Sequence, residues 1–139
     1  MKVRGLYTLL KFALVGASGV LVNELLLAAQ VRLLGIGPAF AVPLAFELAV
    51  LWNFALNDAF TFRSAPRGPG TSSRPARLGF YNLSSVGSFV TQLAAVAALT
   101  APLGHDYILA SLTGIGLGFL LNYWLSLRIW RFGRRSSRG

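Results

Sequence analysis

A chain of 139 residues in which 55% are hydrophobic and only 12% are charged, with a positive mean hydropathy, carries too much apolar surface for one small water-soluble core. The net charge of +9 could suit nucleic acid, but the cations flank separate apolar runs and offer no helix or sheet platform that reads bases, so no nucleic-acid partner is expected. Zero cysteines exclude disulfides and thiolate metal sites, and the single His105 cannot build a histidine cluster, so neither a metal nor a cofactor is expected.

Four apolar segments follow in chain order, each near the roughly 20 residues a helix needs to cross a bilayer. The first, Phe12 to Val31, outruns a signal-peptide core and continues through Asn23 and Glu24 to Arg32 without a small-residue exit, so it is expected to stay. Ile36 to Asn57 is the second. The stretch Ser64 to Pro75, with Pro66, Gly68, Pro69 and Gly70, disfavours helix and strand and reads as a flexible linker. Leu78 to Ala101 and Tyr107 to Leu127 complete the set.

Charge placement sets the expected orientation. Lys2, Arg4 and Lys11 precede the first span, Arg63, Arg67, Arg74 and Arg77 border the central loop, and Arg128, Arg131, Arg134, Arg135 and Arg138 follow the last; Arg32 alone lies on the other side. By the positive-inside rule both termini and the central loop are cytoplasmic, while the connections around Leu34 to Pro38 and Pro102 to Asp106 face outward. The expectation is an all-α, multi-pass protein of the cytoplasmic (inner) membrane whose cations also meet anionic membrane lipids.

The two halves resemble each other. Val15-Gly16 recurs as Val86-Gly87, and Asn53 to Asn57 ending in Phe60-Thr-Phe62 recurs as Asn122 to Ser126 ending in Trp130-Arg-Phe132, the second copy having one extra residue between its polar and aromatic pairs. This predicts a single domain over 1–139, with repeat 1 at about 9–63, a cytosolic linker at 64–77, repeat 2 at about 78–132 and a basic tail at 133–139. With an even number of spans each, the repeats form two parallel-repeat helical hairpins, and a seam between them could hold a ligand or could be only a product of duplication. Gly16, Gly19 and the run Thr113-Gly-Ile-Gly-Leu-Gly118 are read as packing residues, and Trp52, Trp124, Trp130, Phe60, Phe62, Tyr81 and Phe132 mostly as interfacial anchors.

Glu24 and Glu47 are predicted to share a depth near the bilayer centre, roughly 15 to 18 Å from the cytoplasmic edge at ~1.5 Å per residue. An ionised carboxylate there costs at least ~2.5 kcal/mol, so each should be neutral, paired or facing water. They either hold a polar ligand or proton or simply bond a neighbouring helix, with Asn23 or Gln92 as partners. The second half has no acid at this depth, only Ala95 and Gly116. Asn53 and Asn57, spaced i to i+4, share one helix face, with Arg63 beyond them; Asn122, Ser126 and Arg128 are a weaker copy. That face could bind hydroxyls and a phosphate, or join helices. No nucleotide-binding glycine loop and no Ser, His and Asp set is visible, so catalytic residues are not expected and the chain is not read as an enzyme.

Lys11-Phe-Ala-Leu-Val-Gly16 with Asn23, Trp52-Asn-Phe-Ala-Leu-Asn-Asp-Ala-Phe-Thr-Phe-Arg63, and Asn122-Tyr-Trp-Leu-Ser with Trp130-Arg-Phe132 together resemble the GtrA-like family of small four-span membrane proteins. The Glu47-Leu-Ala-Val-Leu-Trp-Asn-Phe form is similar to the branch also found fused to dolichol-phosphate mannose synthase-type glycosyltransferases. The resemblance implies translocation of polyprenyl-phosphate-linked sugar from the cytoplasmic to the outer leaflet, for cell-surface polysaccharide or glycan synthesis. Asp58 and Ala59 stand where the family usually has a large aromatic and often a basic residue. Asn23, Glu24, Glu47, Asn53, Asn57 and Asn122 are then candidates for sugar hydroxyls, and Arg63, Arg77 and Arg128 for the phosphate. Two alternatives are a noncatalytic anchor or scaffold for a partner glycosyltransferase and, from the four helices with a membrane glutamate, a small proton-coupled exporter. Four short helices enclose little volume, so a homodimer is also expected.

Overall fold

The computed structural model describes residues 2–65, 72–100 and 107–131, and every regular element among them is helical. The second connection, at 102–106 with His105, the cations Arg67, Arg134, Arg135 and Arg138, the aromatic Phe132 and the tail 133–139 lie outside the described residues. The chain divides into two compact units, Met1–Ser64 and Ala65–Gly139.

In the first unit, α1 (Lys2–Arg32) runs without a proline for 31 residues. It ends where Gly35 takes φ +65°, a left-handed value that side-chain-bearing residues rarely adopt, and the Ile36 N–H reaches back to the Gln30 carbonyl at 2.9 Å. After this turn Pro38 opens α2 (Pro38–Leu56), where its fixed φ suits the first helical turn and its missing N–H costs nothing. The helix does not stop at Leu56. It widens into a π turn over Asn57–Thr61, closed by the Phe62 N–H on the Asn57 carbonyl at 2.8 Å.

In the second unit, α3 (Arg74–Thr100) starts inside the stretch read from sequence as linker. Ser73 is the reason: its Oγ accepts from the Ala76 N–H at 3.3 Å and its carbonyl from the Arg77 N–H at 3.2 Å, while Pro75 falls in the tolerant first turn. The partner helix is α4 (Tyr107–Arg131).

Each of the four helices has a segment long and apolar enough to cross a membrane: Gly5–Arg32, Ala39–Thr61, Arg74–Leu99 and Leu112–Trp130. Their outer faces explain why lipid is the solvent. Leu6, Leu10, Leu14, Leu21 and Leu25 are exposed along α1, Phe40, Leu44, Leu48 and Leu51 along α2, Leu83, Phe89, Val90 and Leu93 along α3, and Leu112, Ile115, Leu117 and Leu120 along α4. Apolar stripes of that length would aggregate in water, whereas in a bilayer they are the favourable contact surface. The chain is thus an all-α, multi-pass membrane protein.

On α3 a set of hydroxyl side chains turns inward instead. Ser84, Ser85, Ser88 and Thr91 of α3 place their hydroxyls on carbonyls three or four residues back, at 2.8 to 3.0 Å, which satisfies them without a partner helix. Gly114 and Gly118 let α4 press on this serine face. A Cβ at Gly118 would stand 2.8 Å from the Ser88 carbonyl oxygen, and one at Gly114 the same distance from that of Gln92. The glycine hydrogens are left in weak C–H···O contact with those carbonyls. Gly116 meets nothing within 4 Å, so the glycine run packs through alternate members only.

Candidate functional site

The inner face of α2 is written at four-residue intervals: Ala41, Ala45 and Ala49, all buried, then Asn53 and Asn57. Small side chains let α1 come close, and the two amides continue the same face toward the π turn. The fit is tightest at Gly19, where the Asn53 amide fills the space that a Cβ would need. One residue away the Trp52 Nε1–H donates to Ser18 Oγ at 3.0 Å, and Ser18 Oγ–H donates in turn to the Val15 carbonyl at 2.7 Å. Ser18→Ala removes the acceptor of that indole and is expected to lower stability by about 1 kcal/mol, read as a shift of the unfolding midpoint in detergent. Gly16→Ala, which meets open space, should cost nothing.

These contacts set the register of the antiparallel pair. Glu24 lies six residues beyond Ser18 on α1, and Glu47 five residues before Trp52 on α2, so the two carboxyls stand level to within about one residue, ~1.5 Å along the axis. Both are exposed rather than sealed between the helices, and Glu24 Oε1 accepts from the Asn23 amide at 3.3 Å. Acyl chains offer a carboxyl group no hydrogen bond, so such groups on a membrane helix are favoured when neutral, paired within the protein, or beside water or a polar ligand.

Asn53 Oδ1 and Thr61 Oγ1 are buried with no hydrogen bond among the described residues. Asn57 is 1% exposed and Asp58 5%, so the widened turn carries two adjacent polar side chains inside the protein. Arg63 follows them and is exposed. At the same end Lys11 is held between rings, its Nζ 4.4 Å from the centre of Tyr7 and 4.3 Å from that of Phe60. Phe62 turns the other way and meets Phe12 edge to face at 6.1 Å.

The second unit repeats the outline with different chemistry. Tyr81 and Trp130 form the matching edge-to-face pair at 5.9 Å, and Arg128 stands 4.4 Å over the Trp124 ring. Asn122 has a partner inside its own helix pair, the Ser84 hydroxyl at 2.9 Å, whose one proton is shared with the Tyr81 carbonyl at 2.8 Å. Ser126 is wholly buried and its Oγ has no hydrogen bond among the described residues. Arg77 is 2% exposed and donates from Nη1 to the Ser72 carbonyl at 3.0 Å; Arg63 and Arg128 are the exposed members of the predicted phosphate-binding set.

The first unit therefore brings together Asn23 with Glu24, level with Glu47, and Asn53 with Asn57 below them; Asn122 and Arg128 belong to the second unit. Gln30 and Thr61 escaped the sequence reading. For Gln30 the available signal was an amide closing an otherwise apolar run from Leu25 to Ala29.

Comparison with known proteins gives two findings. Residues 11–132 match the family described as GtrA/DPMS, transmembrane domain. A dolichol-phosphate mannosyltransferase of Pyrococcus furiosus is 38% identical over 115 residues, which is 83% of this chain and 31% of that protein. The chain thus spans about a third of the length of the relative it matches.

Proposed function

The chain belongs to the GtrA/DPMS transmembrane-domain family, and from that membership and the geometry of its first helix pair we propose that it translocates a polyprenyl-phosphate-linked sugar across the cytoplasmic membrane, for glycan or cell-surface polysaccharide synthesis. Both termini and the central loop lie in the cytoplasm on this reading. The observation that carries it is the level pair of exposed carboxyls, Glu24 and Glu47, above the Asn53 and Asn57 amides and within an otherwise apolar surface.

Such a substrate presents three chemistries, and the first unit offers something to each. Its prenyl tail stays among acyl chains against the exposed leucines. Its phosphate meets a guanidinium at the cytoplasmic edge, where Arg63 is exposed. Its hydroxyls would otherwise cross the bilayer core stripped of water, and the carboxyl and amide groups replace that water stepwise. Nothing here breaks a covalent bond, and the mannosyl transfer named for the Pyrococcus relative is not carried over to this chain.

The test is the movement of labelled dolichyl-phosphate mannose in proteoliposomes, followed by its accessibility to a membrane-impermeant reagent. Wild-type protein should accelerate exchange, and Glu47→Gln or Asn53→Ala should slow it by about tenfold or more while the protein still inserts and folds. Wild-type vesicles no faster than protein-free ones would remove the transport reading. Unchanged rates in both variants would remove these residues from it.

A second reading takes its support from the relative's being a mannosyltransferase much longer than this chain. Here the four helices recruit a separate glycosyltransferase to its lipid substrate. Co-purification with a transferase, and transferase activity lost without the chain in the absence of any exchange by the purified protein, would select it.

A further inference from the structure

Gln30 stands two residues before the end of α1 and is 5% exposed, yet neither its Oε1 nor its Nε2 has a hydrogen bond among the described residues. Its backbone carbonyl is occupied by the Ile36 N–H, so the helix end is capped and the side chain alone is left over. Carrying the register up from Gly19 and Asn53 sets Gln30 level with Val42, next to Ala41, whose methyl group is wholly buried. Leucine or methionine would fill such a space at no polar cost. A buried amide without partners is a net cost to folding, because it gives up its water and gains no bond in return.

The chemistry of the missing partner can be read from the group itself. A carboxamide offers an acceptor oxygen and a donor nitrogen side by side. A phosphate uses only the donor, an ammonium group only the acceptor, and a prenyl chain neither. Adjacent hydroxyls of a sugar use both. Along α1 the polar stations then fall at Gly19 with Asn53, at Asn23 and Glu24 level with Glu47, and at Gln30, with steps of about 6 to 10 Å between them. Between stations the facing side chains of α2 are the buried alanines Ala41, Ala45 and Ala49.

We infer that Gln30 is a hydroxyl-binding station for the sugar at the turn end of the α1–α2 pair, the last on the path that begins at Asn53. The inference rests on the transport reading above and gives that path its far end. It assigns Gln30 to the sugar and not to the phosphate.

The experiment is a thermal-shift measurement on the full chain in detergent with two probes, dolichyl phosphate and dolichyl-phosphate mannose. In the wild type the mannose-bearing lipid should raise Tm beyond the bare phosphate, and that difference is the sugar increment. Gln30→Met should keep the response to dolichyl phosphate and lose more than half of the sugar increment, while its ligand-free Tm is equal to or above the wild type's. A full sugar increment in Gln30→Met would overturn the inference alone, leaving the amide to a structural water. No increment in the wild type would overturn the transport reading and the inference with it. Should Gln30→Met not fold, Gln30→Asn keeps the amide but withdraws it by one methylene, and a sugar increment equal to the wild type's would again overturn the assignment.

Discussion

Gly118→Leu is expected to disrupt the α3–α4 pair, lowering its stability by about 3 kcal/mol or preventing assembly, whereas Gly116→Leu, one side of the helix away, should leave it intact. The difference follows from what each new side chain meets. At Gly118 even the first carbon would stand 2.8 Å from the Ser88 carbonyl oxygen, which is backbone and cannot rotate aside. Four residues earlier a Cβ at Gly114 would stand the same distance from the Gln92 carbonyl oxygen, so α4 cannot retreat at one point without retreating at both. Retreat would also pull Asn122 from the Ser84 hydroxyl and part the Tyr81–Trp130 rings. In lipid no hydrophobic force drives the helices back together, because acyl chains replace the lost contacts. Unfolding of both variants in micelles, followed by circular dichroism, measures the contrast. Equal midpoints for the two would show that close approach at Gly118 does not hold the pair.

Most of the architecture was legible because the bilayer enforces it. Runs of about twenty apolar residues bounded by arginines can only be spanning helices, since backbone polar groups must be satisfied internally. The common level of Glu24 and Glu47 was also legible from rise per residue. Periodicity could not say which glycines touch a neighbour: Gly16 and Gly116 look like Gly19 and Gly118 in the sequence, and only the helix crossing separates them. Likewise nothing in the spacing told that Asn122 would meet Ser84 while Asn53 Oδ1 would have no hydrogen bond among the described residues. The two halves also differ in where their inner ring falls. Matching Phe60 and Phe62 to Trp130 and Phe132 put an extra residue in the second copy, but the buried rings that pack in the same way are Phe62 on Phe12 and Trp130 on Tyr81. By that measure the extra residue is in the first copy.

That residue is absorbed by the π turn, and removing it gives the second large effect: deletion of Ala59 is expected to preserve the fold and abolish the proposed transport. Trp130 follows Ser126 by four residues, an α-helical step that keeps both on one face. Phe62 follows Asn57 by five, and only the i to i+5 bond from the Phe62 N–H to the Asn57 carbonyl returns it to the inner face against Phe12. Without Ala59, which is exposed, the spacing becomes four and an ordinary α turn delivers Phe62 to the same place. Phe60 keeps its relation to Phe62 and can still cover Lys11. Stability should therefore change by no more than about 1 kcal/mol, since no buried side chain is lost. What changes is the widened ring of backbone that holds Asn57 and Asp58 side by side inside the protein. A hairpin needs no such ring to pack, as the α3–α4 pair demonstrates with an α-helical step at the corresponding place. Its retention in the first unit fits a task performed there, and the Ala59 deletion tests this with two readings on one protein: the unfolding midpoint in micelles and the exchange rate of labelled dolichyl-phosphate mannose in vesicles. A folded variant that still exchanges lipid at the wild-type rate would reduce the π turn to a harmless insertion.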